Sequence, residues 1–196
     1  SAYHRISDRN TIGGSLRYFS LGSIQLTDVN QNSLGTYSPY ELAVDFAFAR
    51  KFGNNFSAGL AARYLRSSFS NGQFINGQQL QPATSFAVDL SGYYKTETTI
   101  LGKTGELSFG VNISNIGPKI SYSTNGMKYS LPTNFKIGGA ATMDIDADSK
   151  LTFALDINKL LVPIVASYDP NSSTVSSIFK SFSDGSNQRK AMSYSL

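Results

Sequence analysis

Leu42, Val44, Phe46 and Phe48 alternate with Ala43, Asp45, Ala47 and Ala49, and Leu107, Phe109, Val111 and Ile113 alternate with Ser108, Gly110, Asn112 and Ser114. Successive side chains leave a strand on opposite sides, so period two over about ten residues predicts a β-strand with one apolar face. The pattern recurs along the chain. Phe56, Ala58, Leu60, Ala62 and Tyr64 share a face, as do Phe86, Val88, Leu90, Gly92 and Tyr94. Phe135, Ile137, Gly139, Ala141, Met143 and Ile145 form another, followed by Leu151, Phe153, Leu155 and Ile157. The opposite faces carry Arg63, Asp89, Lys136, Asp144 and Asp156 among Ser, Gly and Ala. Strands are predicted at 1–5, 11–27, 40–50, 55–67, 84–95, 105–115, 133–145, 149–158 and 188–196.

The connections between these strands are sorted by length. Segments 6–10, 51–54 and 146–148 are short turns rich in Asp, Asn and Gly, and 96–104 is somewhat longer. Segments 28–39, 67–83, 116–132 and 159–187 are long and alternate with them. An outer-membrane barrel has this form, with short turns on the periplasmic side and long loops outside. Aromatic residues fall at two levels of the apolar faces: Tyr40, Tyr64, Phe86 and Phe135 near the long-loop end, Phe48, Phe56 and Tyr94 near the short-turn end. Rings settle at headgroup depth, so two levels suit two interfacial girdles. The fold class expected is all-β, an antiparallel transmembrane outer-membrane β-barrel forming a single domain over 1–196. Nine strands is an odd number, with the first and last running the same way. A closed bacterial barrel is even, so the chain is expected to be part of a larger one.

Composition supports the lipid-facing reading. Charged residues make up 15%, while 17 glycines, 13 Phe and 11 Tyr are present; low charge with many aromatics suits a surface in hydrocarbon. No run of eighteen apolar residues exists, and Pro163 interrupts the nearest one, Leu160 to Ala166, so a membrane-spanning helix is not expected. No leader is visible at Ser1, which fits a mature or trimmed chain. Cysteine is absent. Net charge is +4 without a block of consecutive Lys or Arg, so no nucleic-acid partner is expected.

Candidate chemistry is sparse. Asp144, Asp146 and Asp148 form D-x-D-x-D, but the calcium-loop positions for Gly and Glu hold Ser149 and Leu155. A polar hairpin explains the run. His4 is the single histidine, and no G-x-S-x-G accompanies it, so a Ser-His-Asp hydrolase is not expected. No catalytic residue, metal site or cofactor is assigned. If Phe52-Gly53-Asn54 closes a simple hairpin, Asp45 lies opposite Ala61 and diagonal to Arg63, within ion-pair reach.

The last long segment, 159–187, is the most distinctive. Leu161, Val162 and Ile164 form an apolar run where a polar loop would be ordinary. Val175, Ile178, Phe179 and Phe182 then fall at i, i+3, i+4 and i+7, one face of a short amphipathic helix with Ser or Asn available as N-cap and Gly185 as a stop. Phe74 and Ile75 add apolar side chains to the 67–83 loop. Such groups on external loops pack on the barrel mouth as a lid or meet a partner.

Several segments resemble one family. Ser15-Leu16-Arg17-Tyr18-Phe19-Ser20-Leu21-Gly22, Tyr40-Glu41-Leu42-Ala43-Val44-Asp45, Ala62-Arg63-Tyr64, and Asn112-Ile113-Ser114-Asn115-Ile116-Gly117-Pro118-Lys119-Ile120 carry the likeness. Leu131-Pro132-Thr133-Asn134, Asp156-Ile157-Asn158-Lys159-Leu160 and Ile178-Phe179-Lys180-Ser181-Phe182-Ser183-Asp184 continue it. The chain resembles the PorV family of the Bacteroidetes type IX secretion system, over nearly its whole length. The resemblance implies a larger barrel similar to the long-chain fatty-acid transporter, of about fourteen strands, consistent with even-stranded closure. It implies a non-enzymatic outer-membrane shuttle whose partners are a giant translocon barrel, secreted cargo with a C-terminal signal domain, a cell-surface attachment complex and outer-membrane lipid. Phe74, Ile75, Leu161, Val162, Ile164, Val175, Ile178, Phe179 and Phe182 are the expected partner contacts. The alternative is a transporter for hydrophobic small molecules, suggested by the barrel type and its small-residue interior.

Overall fold

The computed structural model describes residues 1–69, 74–75, 78–123, 126–162, 173–183 and 192–195. In chain order the strands are β1 (Ala2–Arg5), β2 (Asn10–Ser20), β3 (Ile24–Thr27), β4 (Ser33–Tyr37), β5 (Tyr40–Phe52), β6 (Phe56–Ser68), β7 (Phe74–Ile75) and β8 (Gln78–Gln79). Then follow β9 (Ala83–Ile100), β10 (Lys103–Ile116), β11 (Ile120–Ser121), β12 (Lys128–Tyr129), β13 (Asn134–Asp144), β14 (Lys150–Leu160), α1 (Thr174–Ser183) and β15 (Met192–Ser195). Nine of them build one sheet in the order β1-β2-β5-β6-β9-β10-β13-β14-β15. Every neighbouring pair is antiparallel, so the sheet is a meander in sequence order. The pairs β3·β4, β7·β8 and β11·β12 are separate two-stranded ladders within the long connections. No described helix is long and apolar enough to cross a membrane.

Register confirms the two-faced reading. Ile12, Phe48, Leu60, Leu90, Ile113 and Phe135 stand opposite one another in a single row across six strands. Leu16, Val44, Tyr64 and Phe86 form a second row. Much of this face is bare: Phe46, Phe86 and Phe153 on it are 60%, 68% and 70% exposed, while Ile12, Tyr64, Ile113 and Phe135 are half-buried. Buried hydrophobic residues are few, namely Ala83, Ala87, Leu131 and Leu161 among the described residues. Among the described residues the apolar rows thus form one continuous, largely uncovered face of the sheet.

Three expectations need correction. The strand predicted at 11–27 is two elements, because β5 begins at Tyr40 and the chain past Ser20 has no sheet neighbour to pair with. It bends at Gly22 (φ +81) and folds back through the β3·β4 hairpin, while Leu21 N–H returns to Pro39 O at 3.1 Å. The connection predicted at 96–104 is a two-residue turn: β9 continues to Ile100, and Leu101 and Gly102 both take positive φ before Lys103. Two left-handed residues in succession are the type I′ geometry that matches strand twist. The β5–β6 loop holds three residues, 53–55, closed by Phe52 opposite Phe56. Asp45 therefore lies directly opposite Arg63, and Ala61 opposite Ala47. Of the strand predicted at 188–196, Met192–Ser195 is present as β15, and its remaining positions lie outside the described residues. With these changes, short connections gather at one end of the sheet and long ones at the other.

Candidate functional site

On the polar face one cluster ties several strands together. Asp45 on β5 accepts from Ser15 Oγ at 2.6 Å and pairs with Arg17 Nη2 at 3.2 Å, both on β2. Arg63 on β6 donates from Nε to Asp45 Oδ1, from Nη2 to Asp89 Oδ2 on β9 at 3.1 Å, and from Nη1 to Asn115 Oδ1 on β10. The planar guanidinium reaches three acceptors at once because its donors splay in a fixed fork. Its side chain is 15% exposed and that of Asp45 10%. The predicted Asp45–Arg63 pair is present. Asp89 and Asn115 were missed, because no local pattern shows which residues of β9 and β10 lie beside Arg63.

Asn115 carries the cluster outward to the long connections. It has φ +59 at a register shift between Ile113 and Ile116, a conformation Asn tolerates better than most residues. Its N–H donates to Asp89 Oδ1 at 2.8 Å, its amide nitrogen to Pro132 O at 3.1 Å, and its carbonyl accepts from Thr133 Oγ1 at 2.9 Å. Leu161 N–H then donates to Thr133 O at 2.7 Å. Gly117, two residues on, passes so close to β9 that a Cβ there would collide with Phe86 O and come within 2.8 Å of Leu131 Cδ1.

The expected helix exists, and its orientation is the unexpected part. Ser173 Oγ accepts from Ser176 N–H at 3.2 Å, an N-cap bond. Thr174 Oγ1 donates to Gly117 O at 2.7 Å, fastening the first turn to the preceding long connection. The buried side is the serine side: Ser177 and Ser181 are covered, their hydroxyls satisfied by Ser173 O and Ile178 O within the helix. Internal bonding of this kind lets a hydroxyl be buried without a penalty. Val175, Phe179 and Phe182 are exposed, Phe179 to 71%, and Ile178 is half-buried.

The other candidate residues separate by environment. Leu161 is fully buried and Val162 half-buried, so Leu161 supports the wall rather than presenting a surface. The backbones of Phe74 and Ile75 form β7 opposite Gln79 and Gln78, and their side chains lie outside the described residues, as do Ile164 and the expected stop Gly185. In the 145–149 turn, Asp146 Oδ1 accepts from Asp148 N–H at 3.0 Å and Asp144 pairs with Lys150 at 2.9 Å. These contacts are those of a polar hairpin. His4 lies on β1 opposite Ile12. A cavity of about 790 Å³ opens at the long-connection end, lined by Phe19, Ala43, Leu65, Leu131 and Tyr122 with Arg63 among its walls.

A search among curated proteins gives no match for this chain. The model of one protein family, Type IX secretion system protein PorV, matches residues 1–167. That span holds all but the last two strand and helix elements, with the Arg63 cluster and the Asn115 bulge inside it. The chain belongs to the PorV family of type IX secretion system proteins.

Proposed function

We propose that this chain is part of an outer-membrane β-barrel that works without catalysis, binding the secretion translocon and the C-terminal signal domain of cargo and passing cargo to the cell-surface attachment complex. The observation that carries the reading is the family match over residues 1–167. Membership of the type IX system implies the cell envelope. The bare apolar face of the nine-stranded sheet supports a place in lipid, since exposed apolar area on this scale would drive aggregation in water. A sheet crosses a bilayer only when its edges are paired into a closed wall. β1 and β15 are the edge strands here, and in this reading further strands of a larger barrel close the gap.

Partner contact falls to the long-connection end. Phe74, Ile75, Val162, Ile164, Val175, Ile178, Phe179 and Phe182 supply its apolar groups, with the buried Leu161 behind them rather than in contact, and the exposure of Val175, Phe179 and Phe182 supports direct contact by α1. Affinity purification of the tagged full-length protein from detergent-solubilised outer membranes, followed by mass spectrometry, tests the role. Recovery of a very large barrel protein, or of secreted proteins sharing a C-terminal domain, is expected. Phe179→Asp combined with Phe182→Asp should lose that recovery; intact complexes and intact secretion in the double variant would refute the α1 assignment.

The 790 Å³ cavity favours one rival, transport of hydrophobic small molecules. Recovery of the barrel alone, with lipid in its lumen, would support the rival instead.

A further inference from the structure

We infer that α1 is an interfacial helix: outside any complex, its Val175, Phe179 and Phe182 side chains are seated in outer-leaflet lipid, where they extend the aromatic girdle of the barrel wall. The inference rests on the membrane reading above. Three aromatic pairs mark the long-connection end of the apolar face. Tyr18 stacks on Tyr40 at 5.7 Å between centroids, and Tyr64 meets Phe86 at 5.3 Å. The third pair, Phe135 with Phe182 at 6.3 Å and 73°, takes one ring from β13 and the other from α1. Phe135 is in the apolar row of Ile113 and Leu90, so Phe182 docks on the lipid-facing side of the wall rather than over the lumen.

Two cations lie at the same level and on the same face. Lys159, opposite Phe135 in the register, holds its Nζ 5.5 Å from the Phe182 ring centroid. Arg66, opposite Leu42, donates from Nε to Tyr40 Oη at 3.1 Å. Aromatic rings with basic side chains beside them are the chemistry of the headgroup zone, where rings sit amphipathically and cations meet lipid phosphates. The helix itself has the required asymmetry. Its serine side is turned to the protein and buried, its bulky apolar side is bare, and the bare side is continuous with the sheet's apolar face through Phe182. A short helix with its apolar face at an interface binds lipid by burying that face at the acyl boundary. A partner that docks on α1 therefore displaces lipid, not water.

The test uses the absence of tryptophan from this sequence. Tryptophan is introduced into the full-length protein by Phe179→Trp, by Phe86→Trp on the wall, and by Val29→Trp at a fully exposed loop position. Each variant is reconstituted without partners into vesicles containing brominated phospholipid, and its added emission is measured against the parent protein. The expected result is a loss of emission for Phe179→Trp comparable to that for Phe86→Trp, with none for Val29→Trp. If Phe86→Trp is quenched and Phe179→Trp is not, the helix is not interfacial and the inference fails while the barrel reading stands. If Phe86→Trp also escapes quenching, the wall does not face lipid and the membrane reading itself fails.

Discussion

Replacing Arg63 with Met keeps most of the aliphatic stem and removes the charge on which the polar face is organised. The guanidinium bonds two carboxylates and one amide, and the side chains of Arg63, Asp45 and Asp89 are 15%, 10% and 18% exposed. Without it, two carboxylates remain on β5 and β9, the strands flanking β6, with no cation between them. Asp45 keeps Ser15 and the more exposed Arg17, and Asp89 keeps the Asn115 N–H. Those retained partners place the expected loss at about 3 kcal/mol, the lower end of the range for removing one member of a buried pair. The assay is the urea midpoint of the full-length protein folded into lipid vesicles. Neutralising the carboxylates as well, in Asp45→Asn with Arg63→Met and Asp89→Asn, should return most of the loss, because it removes the uncompensated charges. A loss for Arg63→Met of about 0.5 kcal/mol or less, the value of an exposed bridge, would refute the reasoning. It would mean that water already screens the cluster.

Other outcomes follow from single geometric facts. Gly117→Ala should destabilise by about 1–3 kcal/mol through overpacking, because its Cβ meets Phe86 O and Leu131; limited proteolysis of the 116–133 connection should accelerate. Leu101→Asn should stabilise by about 1 kcal/mol, relieving a left-handed leucine (φ +51) at an exposed I′ turn, read as a higher urea midpoint. In the 145–149 turn the Asp148 N–H, followed by the Ser149 side chain, holds the Asp146 carboxyl below its ordinary value. A depressed carboxylate stabilises above its unfolded value, and that contribution is lost as pH falls through the folded one. Acidification through the carboxylate range should thus lower the parent's urea midpoint more than that of Asp146→Asn, and identical pH profiles would sink the point.

Legibility tracked the range of each interaction. The alternation from Leu42 to Ala49 is a local signal, and it was enough to place strand faces and neighbours in a meander. The turn at Leu101-Gly102 was obscured because leucine stands where Asn or Asp would announce a I′ hairpin. The break at Gly22 was obscured because Ile24, Leu26 and their neighbours continue the apolar alternation after the sheet has run out of a partner strand. In both places the pattern of side chains was right for a strand and silent about what the strand paired with.

The cluster and the helix show the same division. Asp45 and Arg63 are joined by one hairpin, so their pairing was within reach of the sequence, to one residue of register. The three-residue loop at 53–55 settled that register, since each added loop residue shifts the pairing. Asp89 and Asn115 reach Arg63 from strands whose registers depend on every turn between them. For α1, spacing alone identified a helix with Val175, Ile178, Phe179 and Phe182 on one side. Which side is buried was decided by the Thr174–Gly117 bond, the serine hydroxyls closing on their own helix and the Phe182–Phe135 contact. Periodicity is carried by neighbours along the chain and survives in the sequence; orientation is carried by contacts between distant segments, which exist only once the sheet has brought those segments together.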